Sequence, residues 1–261
     1  MQISLQDFEK INPITSFKFN EKLTYFYTPN LQTKWRVDTL LSKEPVTIEW
    51  LNKIRSNEIL LDIGANVGMY SIWAAKFRNV NVFALEPEAS NYFVLNQNIK
   101  INKLNKLIKS YCMGVSNKDE FCELYLPGHP KIGSSNFSLG KPLDYNLKPY
   151  SFDYTQGSIS FKIDSLIKNK YIPVPDFIKI DVDGLEHKVI EGAKQTLKNK
   201  KIKSLIIELN TNLSEHLNLI NFLENLGFNY SIDQVNKSIR KDGIYKGLSE
   251  YVFTRWLTFS L

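Results

Sequence analysis

The stretch from residue 59 to residue 71 contains the residue types whose spacing is best suited to chemistry. A hydrophobic run ends in Asp62, Gly64 and Gly68 follow it, and a helical pattern begins at once. Glycines let the backbone approach another group closely because no Cβ stands in the way. The start of a helix also offers unpaired N–H groups. This order predicts a buried strand, a binding turn and a helix.

The spacing of the two glycines narrows the choice of cofactor. Gly64 and Gly68 form Gly-x-x-x-Gly, which is neither the dinucleotide motif nor the phosphate loop. Asp62 would repel a pyrophosphate but suits an ammonium, such as that of S-adenosylmethionine. Glu86 ends the next predicted strand, about 20 residues on, where a carboxylate grips a ribose diol. Together they predict S-adenosylmethionine as the cofactor; the alternative is an ordinary strand–turn–helix with Asp62 as a turn residue.

A second group of acidic residues, Asp181, Asp183 and Glu186, follows a later predicted strand. Carboxylates at this place could deprotonate an acceptor hydroxyl, orient it, or hold a divalent cation. The alternative for Asp183 and Glu186 is that they complement the dipole at the start of the next helix. The sequence favours Asp181 and Glu186 as candidate catalytic groups.

Histidine is the side chain best matched to proton transfer near neutral pH. The chain has three histidines. His187, beside Glu186, is the preferred candidate base. His129 lies in an irregular stretch and is a second candidate, whereas His216 is expected on the surface of a late helix.

Alternating strand and helix patterns predict a parallel sheet covered on both faces. Ligands bind such sheets at the carboxyl ends of the strands, so we expect Asp62, Glu86 and Asp181 to converge there. The predicted strands are 59–63, 80–86, 107–115, 176–182 and 203–209, with a late antiparallel pair near 228–233 and 250–256.

Two stretches fall outside this regular pattern. Residues 1–44 alternate aromatic and polar residues and are predicted to form an N-terminal extension or lid before the main domain, 45–261. Residues 127–158 are rich in proline and glycine, and such a long irregular segment is usually functional or disordered. Its aromatic residues favour an ordered flap over a substrate site, and a floppy surface insertion is the alternative.

Three blocks taken together resemble the FkbM-type S-adenosylmethionine-dependent methyltransferases. The blocks are Asp62-Ile-Gly-Ala-Asn-Val-Gly-Met-Tyr-Ser71, Ala84-Leu-Glu-Pro-Glu88 and Ile178-Lys-Ile-Asp-Val-Asp-Gly-Leu-Glu186. The resemblance covers about residues 33–210. One departure is Asp183, because the family usually has Asp-Val-Glu-Gly here. The resemblance implies an α/β, Rossmann-like methyltransferase fold with a mostly parallel seven-stranded sheet and helices on both faces.

The resemblance also implies roles for individual residues. Asp62 and the glycine backbone would hold the methionine end, Glu86 the ribose, and Asp181 would line the junction of cofactor and acceptor. Ser116 is a candidate for the adenine and Glu44 for the cofactor amine. The expected cofactor-binding set is Glu44, Asp62, Gly64, Ala65, Asn66, Gly68, Tyr70, Ser71, Glu86 and Ser116, and the expected catalytic set is Asp181, Glu186 and His187.

Composition narrows the class of acceptor. The chain has 261 residues and a net charge of +6, which could serve nucleic-acid binding. However, it has no Asn/Asp-Pro-Pro-aromatic block of the kind that receives a flipped base. We expect O-methylation of a hydroxyl on a small molecule or glycan: a sugar, a glycolipid or a secondary metabolite. The alternatives are a nucleic-acid methyltransferase and a non-catalytic cofactor-binding module, and a dehydrogenase has the wrong glycine spacing.

The sequence also bears on location. The first residues show no cationic segment followed by an apolar one, and no apolar run approaches the length of a membrane span. Cys112 and Cys122 show no metal-ligand spacing and are expected to be buried thiols in a reducing compartment. The predicted location is cytoplasmic, with no structural metal and no transmembrane segment.

Overall fold

A central sheet with helices packed on both faces organises the chain. The fold is known from a computed structural model, which describes residues 3–128, 130–243 and 245–255. The strands are β1 (Ile14–Phe19), β2 (Lys22–Tyr27), β3 (Ile59–Ile63), β4 (Asn81–Leu85), β5 (Ile108–Tyr111), β6 (Gly114–Val115), β7 (Glu120–Leu126), β8 (Ser138–Leu139), β9 (Tyr154–Phe161), β10 (Phe177–Ile180), β11 (Ser204–Asn210), β12 (Phe228–Asn229) and β13 (Leu248–Arg255).

The helices alternate with the strands of the central sheet, as the sequence pattern predicts. They are α1 (Leu5–Lys10), α2 (Leu31–Asp38), α3 (Pro45–Leu51), α4 (Met69–Arg78), α5 (Ala89–Ile101), α6 (Ile163–Lys168), α7 (Glu186–Glu191), α8 (Ser214–Asn225) and α9 (Ile232–Ser238), with a 3₁₀ turn at Thr196–Lys198. No described helix is both long and apolar enough to cross a membrane.

Seven strands of the described chain form the central sheet in the order β12-β13-β11-β10-β3-β4-β5. The five strands from β11 to β5 run parallel, and β13 lies antiparallel to both of its neighbours. The predicted Rossmann-like α/β fold, with its late antiparallel pair, is therefore confirmed.

Alternating side chains of the strands pack into two hydrophobic cores, one on each face of the sheet. On β3, Leu60 belongs to one buried cluster with residues of α3, α4 and α5. Its neighbour Leu61 belongs to the other cluster, with residues of α6, α7 and α8. Successive strand residues point to opposite faces, so both faces of the sheet are buried. A sheet buried on both faces requires the nearly continuous apolar runs that the sequence shows.

The predicted third strand, 107–115, is divided between two sheets. Ile108–Tyr111 pairs with β4, whereas Gly114–Val115 pairs with β9 in a second sheet of order β6-β9-β7-β8. A turn separates the two halves, with a hydrogen bond of 3.1 Å from the Met113 N–H to the Tyr111 carbonyl. The cysteine prediction is also wrong, because Cys112 beside this turn is exposed and Cys122 is only half-buried.

The N-terminal hairpin of β1 and β2 is attached to α5. Asn98 accepts a hydrogen bond from the Tyr27 N–H at 2.7 Å, and Asn102 bonds both the N–H and the carbonyl of Tyr25. These two asparagines satisfy backbone groups at the edge of the hairpin, which otherwise would be left unpaired. The hairpin is thereby fixed, and it sets the position of α2 behind it.

Candidate active site

A cavity of about 420 Å³ opens at the carboxyl ends of the central parallel strands. Such an edge is where open α/β sheets bind their ligands. The polar residues contributed by the strand ends are Gly64, Glu86, Asp181, Asp183 and Glu208. The sequence prediction that Glu86 and Asp181 converge agrees with this placement, but Asp62 is absent from the cavity lining.

Gly64 forms the turn at the end of β3. Its φ is +75°, and an added Cβ would lie 1.9 Å from the Asp181 carbonyl oxygen. Only glycine fits this position, because the end of β10 occupies the space where a side chain would be. Gly68 has a different role: its missing Cβ makes room for Leu95, so it packs α4 against α5 and does not line the cavity.

Asp62 lies beneath the turn. It is 1% exposed, and one of its carboxylate oxygens accepts a hydrogen bond from the Ser71 hydroxyl at 2.6 Å. The Nζ of Lys179 lies 3.7 Å from the other oxygen. Asp62 and Ser71 therefore anchor the first turn of α4 to β3. The expected contact of Asp62 with the methionine end of the cofactor is not what the geometry offers, because its oxygens face the protein interior.

Glu86 lies at the end of β4 and lines the cavity. Its two oxygens accept hydrogen bonds from the backbone N–H of Asn66 at 2.7 Å and of Glu88 at 2.9 Å. Burial raises the pKa of Glu86 to about 7, although these two donors act in the opposite direction. Each oxygen keeps a lone pair for a further donor, so Glu86 can accept hydrogen bonds from the hydroxyls of a ribose.

Glu44 and Tyr70 form a buried pair beside the cavity. The Tyr70 hydroxyl donates to Glu44 at 2.6 Å, and Lys43 forms an ion pair with the other Glu44 oxygen at 2.5 Å. Burial alone would raise the pKa of Glu44, but the charges of Lys43 and Lys179, with the hydrogen bond from Lys43, together leave the pKa below its usual value. Glu44 does not line the cavity; Tyr70 and Ala65 line a smaller adjoining cavity of about 30 Å³.

Three carboxylates, those of Glu44, Glu208 and Glu250, have oxygens within 4.8 Å of one another. Two of them already have cationic partners, since Lys43 pairs with Glu44 and Arg240 pairs with Glu208. Burial raises the pKa of Glu250 to about 7 and the pKa of Glu208 well above its usual value. Neighbouring cations therefore compensate part of the negative charge of this cluster.

Asp181 lines the cavity directly after β10. The Nζ of Lys179 lies 3.3 Å from its Oδ2 and also 5.3 Å from the centre of the Tyr70 ring. Burial would raise the pKa of Asp181, but the charges of Lys179 and Lys43 dominate and hold it below its usual value. Asp181 is therefore an ionised carboxylate at the centre of the cavity edge.

Asp183 also lines the cavity, and its φ of 55° places it in the left-handed region. Aspartate is among the residues that tolerate this region. Its Oδ2 accepts a hydrogen bond from the Asn136 N–H at 2.7 Å. Burial, together with the charge of Asp181, raises the pKa of Asp183 to about 7. The turn thus presents two carboxylates of different basicity to the same space.

Glu186 faces into this turn, away from the large cavity. Its Oε1 accepts hydrogen bonds from the N–H groups of Val182 at 3.0 Å and Gly184 at 3.3 Å. The Nε2 of His216 lies 3.2 Å from its Oε2 and 3.1 Å from the Gly184 carbonyl. Glu186 therefore lies at the start of α7, the alternative that the sequence left open, and stabilises the turn from the side of the protein interior.

The histidines occupy other places than the sequence indicated. His216 is 1% exposed, so the prediction of a surface position is wrong. His187 is half-buried with its ring 6.1 Å from that of His216, it lines no described cavity, and burial lowers its pKa. His187 is therefore not placed to act as a base on a substrate in the cavity. His129 lies outside the described residues.

The far end of the cavity has an apolar wall. Met113, Val115, Leu124 and Leu139 line it, and Ser116 lies at its edge. The Ser116 hydroxyl makes a long contact of 3.4 Å with Asn117, so it stays available to a ligand. A flat aromatic group with a few polar edges suits such a wall.

Sequence reasoning missed the basic and aromatic residues that complete the cavity. They are Arg36 and Lys43 near α2 and α3, and Arg240 and Tyr245 between α9 and β13. Arg36 lies within the family resemblance, which begins near residue 33, but the sequence assigned no role to it. Arg240 and Tyr245 carry no local signal, because only the antiparallel return of β13 brings them to the strand ends.

The cavity has the parts that S-adenosylmethionine requires. Gly64 leaves room for close backbone approach, Glu86 offers acceptors for a ribose, and the apolar wall suits an adenine. A glycine turn and a strand-end carboxylate on a seven-stranded sheet with an antiparallel β13 are typical of the S-adenosylmethionine-dependent methyltransferases. The model of the Methyltransferase FkbM domain matches residues 62–230, so the chain belongs to the FkbM methyltransferase family, and its cofactor is S-adenosylmethionine.

Individual relatives are distant. The chain is 22% identical over 187 residues to the hexuronic acid methyltransferase AglP of Haloferax volcanii, a match that covers 70% of this chain and 69% of that protein. It is 21% identical over 195 residues to methyltransferase sdnD of Sordaria araneosa, covering 67% and 74%. The solved structure of methyltransferase FkbM from Methylobacillus flagellatus KT has 15% identity and a TM-score of 0.49, covering 87% of this chain and 55% of that one.

Proposed function

We propose that this methyltransferase transfers a methyl group to a hydroxyl of a sugar or glycan. The observation that carries the proposal is the polar lining of the cavity, to which Asp183, Glu208, Arg240 and Tyr245 contribute. Such a polar wall provides several hydrogen-bonding partners for a molecule with many hydroxyls. The hexuronic acid methyltransferase among the relatives supports a sugar acceptor.

We assign the general base to Asp183. A base works best when its pKa lies near the working pH, and the pKa of Asp183 is about 7. Asp181 is a weaker base because Lys179 holds it in the charged form. S-adenosylmethionine, when bound, supplies a methyl group that is already activated. The protein then has to align the acceptor oxygen and receive its proton.

Two segments would cover the reacting groups. The Nε of Arg36 donates to the Gly133 carbonyl at 2.5 Å, and Asn66 donates to the Ser134 carbonyl at 2.7 Å. The Asn136 N–H donates to Asp183. These bonds join the N-terminal extension, the cofactor turn and the base through the 127–158 segment. We propose that residues 1–44 and 127–158 act together as a lid that excludes water.

The test is a methyl-transfer assay with labelled S-adenosylmethionine and a panel of acceptors. The panel contains uronic acids, neutral glycans, hydroxylated metabolites and RNA, and mass spectrometry locates the methyl group. We expect transfer to a sugar hydroxyl, with a rate that rises with pH through about 7 as Asp183 loses its proton. Transfer to RNA alone, or to no hydroxyl at all, would overturn the proposal.

Two variants test the base. Asp183→Asn is expected to lower kcat by about 10²–10⁴-fold, the usual contribution of a general base, and to leave the affinity for S-adenosylmethionine within a few-fold. Asp233→Asn removes an exposed carboxylate from the first turn of α9 and serves as the matched control. Unchanged kcat in Asp183→Asn, or an unchanged pH profile, would remove Asp183 from the mechanism.

A further inference from the structure

Arg36 differs from the other basic residues of the cavity in having no acidic partner. Lys43 is paired with Glu44, and Arg240 with Glu208. Within the described ranges, no carboxylate forms an ion pair with Arg36, whose Nε donates to the Gly133 carbonyl. An arginine presents five N–H donors in a fixed planar fork. The two terminal nitrogens of Arg36 therefore remain available to a ligand.

The position of Arg36 indicates which part of a ligand it would meet. Arg36 lines both the large cavity and the smaller adjoining one, and so do Gly64 and Asp181. The glycine turn, a cation and an anion thus meet at one end of the cavity. The apolar wall around Leu124 belongs to the large cavity alone. A ligand with one charged and one apolar end would accordingly fit with its charged end at the turn and its apolar end at the wall.

The charges at this end suit a zwitterion. Asp181 is ionised because the Lys179 ammonium lies 3.3 Å from it. Arg36 is always charged, and its fork matches the geometry of a carboxylate. The amino-acid end of S-adenosylmethionine carries one ammonium and one carboxylate on neighbouring atoms. The Asp181 carboxylate and the Arg36 guanidinium, which line the same two cavities as Gly64, provide the complementary pair.

We propose that Arg36 and Asp181 together bind the amino-acid end of the cofactor, Arg36 through its carboxylate and Asp181 through its ammonium. The partner of the cofactor ammonium is then Asp181, which lines the cavity, and not Asp62, which the sequence favoured. It also makes α2 part of the cofactor site, so the segment before the matched family domain completes that site. The proposal does not depend on the identity of the methyl acceptor.

The test for Arg36 is calorimetric titration with two ligands that differ only in the carboxylate. S-adenosylmethionine and decarboxylated S-adenosylmethionine are titrated into the wild type, Arg36→Gln and Lys34→Gln. Lys34 lies on the same helix, is exposed and pairs with Asp38, so its variant controls for lost helix charge. We expect Arg36→Gln to weaken the binding of S-adenosylmethionine by about 10- to 100-fold, which is the usual effect of losing a charged hydrogen bond. The binding of decarboxylated S-adenosylmethionine should weaken by less than about threefold.

The test for Asp181 uses a ligand without the amino-acid end. Asp181→Asn is expected to weaken S-adenosylmethionine about 10-fold or more and to leave 5′-methylthioadenosine unchanged. Arg36→Lys keeps the charge and is expected to recover part of the preference for S-adenosylmethionine over its decarboxylated form. Equal weakening of both ligands by Arg36→Gln would show a purely structural role and overturn the proposal. Unchanged binding of S-adenosylmethionine in Arg36→Gln would overturn it as well.

Discussion

Lys179 is a buried cation that lies between the carboxylates of Asp62 and Asp181 beneath the cavity. It is 4% exposed, and its Nζ lies 3.3 Å from Asp181 and 3.7 Å from Asp62. Asp62 lies on β3 and is the register partner of Lys179 on the adjacent strand β10, and Asp181 directly follows β10. We predict that Lys179→Met strongly destabilises the protein, because methionine keeps the volume of the side chain but leaves two carboxylates without their shared partner.

The structure gives the scale of this effect. At an effective dielectric constant of about 20, unit charges at these two separations attract by about 5 and about 4.5 kcal/mol. Desolvation of the ammonium cancels much of that attraction, and Asp181 remains partly solvated with 30% of its side chain exposed. Removing one partner of a buried pair usually costs about 3–5 kcal/mol. We expect the free energy of unfolding of Lys179→Met to fall by about 3 kcal/mol at pH 8.

The loss should depend on pH in a defined direction. In the wild type Lys179 lowers the pKa of Asp181, so this contribution is present above the unfolded pKa and is lost as pH falls. In the variant only the charges of Lys43 and Arg36 still oppose burial, so the pKa of Asp181 rises above its wild-type value. The stabilising contribution of ionised Asp181 at high pH is therefore smaller in the variant than in the wild type. Urea unfolding at pH 5 and pH 8 should therefore show a larger difference from wild type at pH 8.

Lys203→Met provides the matched control. Lys203 also bridges two carboxylates, Glu58 and Asp176, but its side chain is 36% exposed. Water reaches the Lys203 ammonium, although Glu58 and Asp176 are only 13% and 10% exposed, so this variant should lose less stability than Lys179→Met. Equal losses for Lys179→Met and Lys203→Met, or a loss at Lys179 that is the same at both pH values, would refute the electrostatic reasoning.

Two further predictions follow from single positions. Gly64→Ala places a Cβ 1.9 Å from the Asp181 carbonyl and should abolish S-adenosylmethionine binding in calorimetry. The control is Gly227→Ala, which has a similar φ of +82° and nothing within 4 Å, and it should cost only about 1–2 kcal/mol of stability. Intact binding in Gly64→Ala would contradict this prediction. Glu250→Gln should raise Tm at pH 8 but not at pH 5, since burial raises the pKa of Glu250 to about 7 and ionisation above that pH costs stability. An equal change in Tm at both pH values would show that ionisation of Glu250 is not the cause.

The sequence predicted the sheet because local patterns determine it. The apolar run at 59–63 and the glycines after it mark β3 and its turn without any long-range information. Glu86 was also predicted, since the spacing from one strand end to the next is nearly constant in a Rossmann-like unit. Each of these features lies within one strand–helix–strand unit. Residues close in the sequence of such a unit are also close in space, so the sequence alone predicts them.

Residues that depend on contacts between distant segments could not be predicted in this way. Asp62 was expected to contact the cofactor because it ends a run in sequence, but Ser71 and Lys179 turn its carboxylate inward. Arg36 reaches the cavity only because the hairpin before it is fixed to α5 through Asn98. Arg240 reaches it through the antiparallel return of β13. No periodicity in the sequence records these three placements.

The Asp181–Gly184 turn shows why a cluster of ionisable residues in sequence is divided in space. A turn with left-handed backbone at Asp183 and Gly184 must have its N–H groups satisfied, and Glu186 does so from the protein side. The His216 ring then closes the carboxylate from solvent. One of the three acidic residues is thereby committed to holding the turn. Because Glu186 holds the turn, Asp181 and Asp183 can present two carboxylates of different pKa to the cavity without the backbone relaxing.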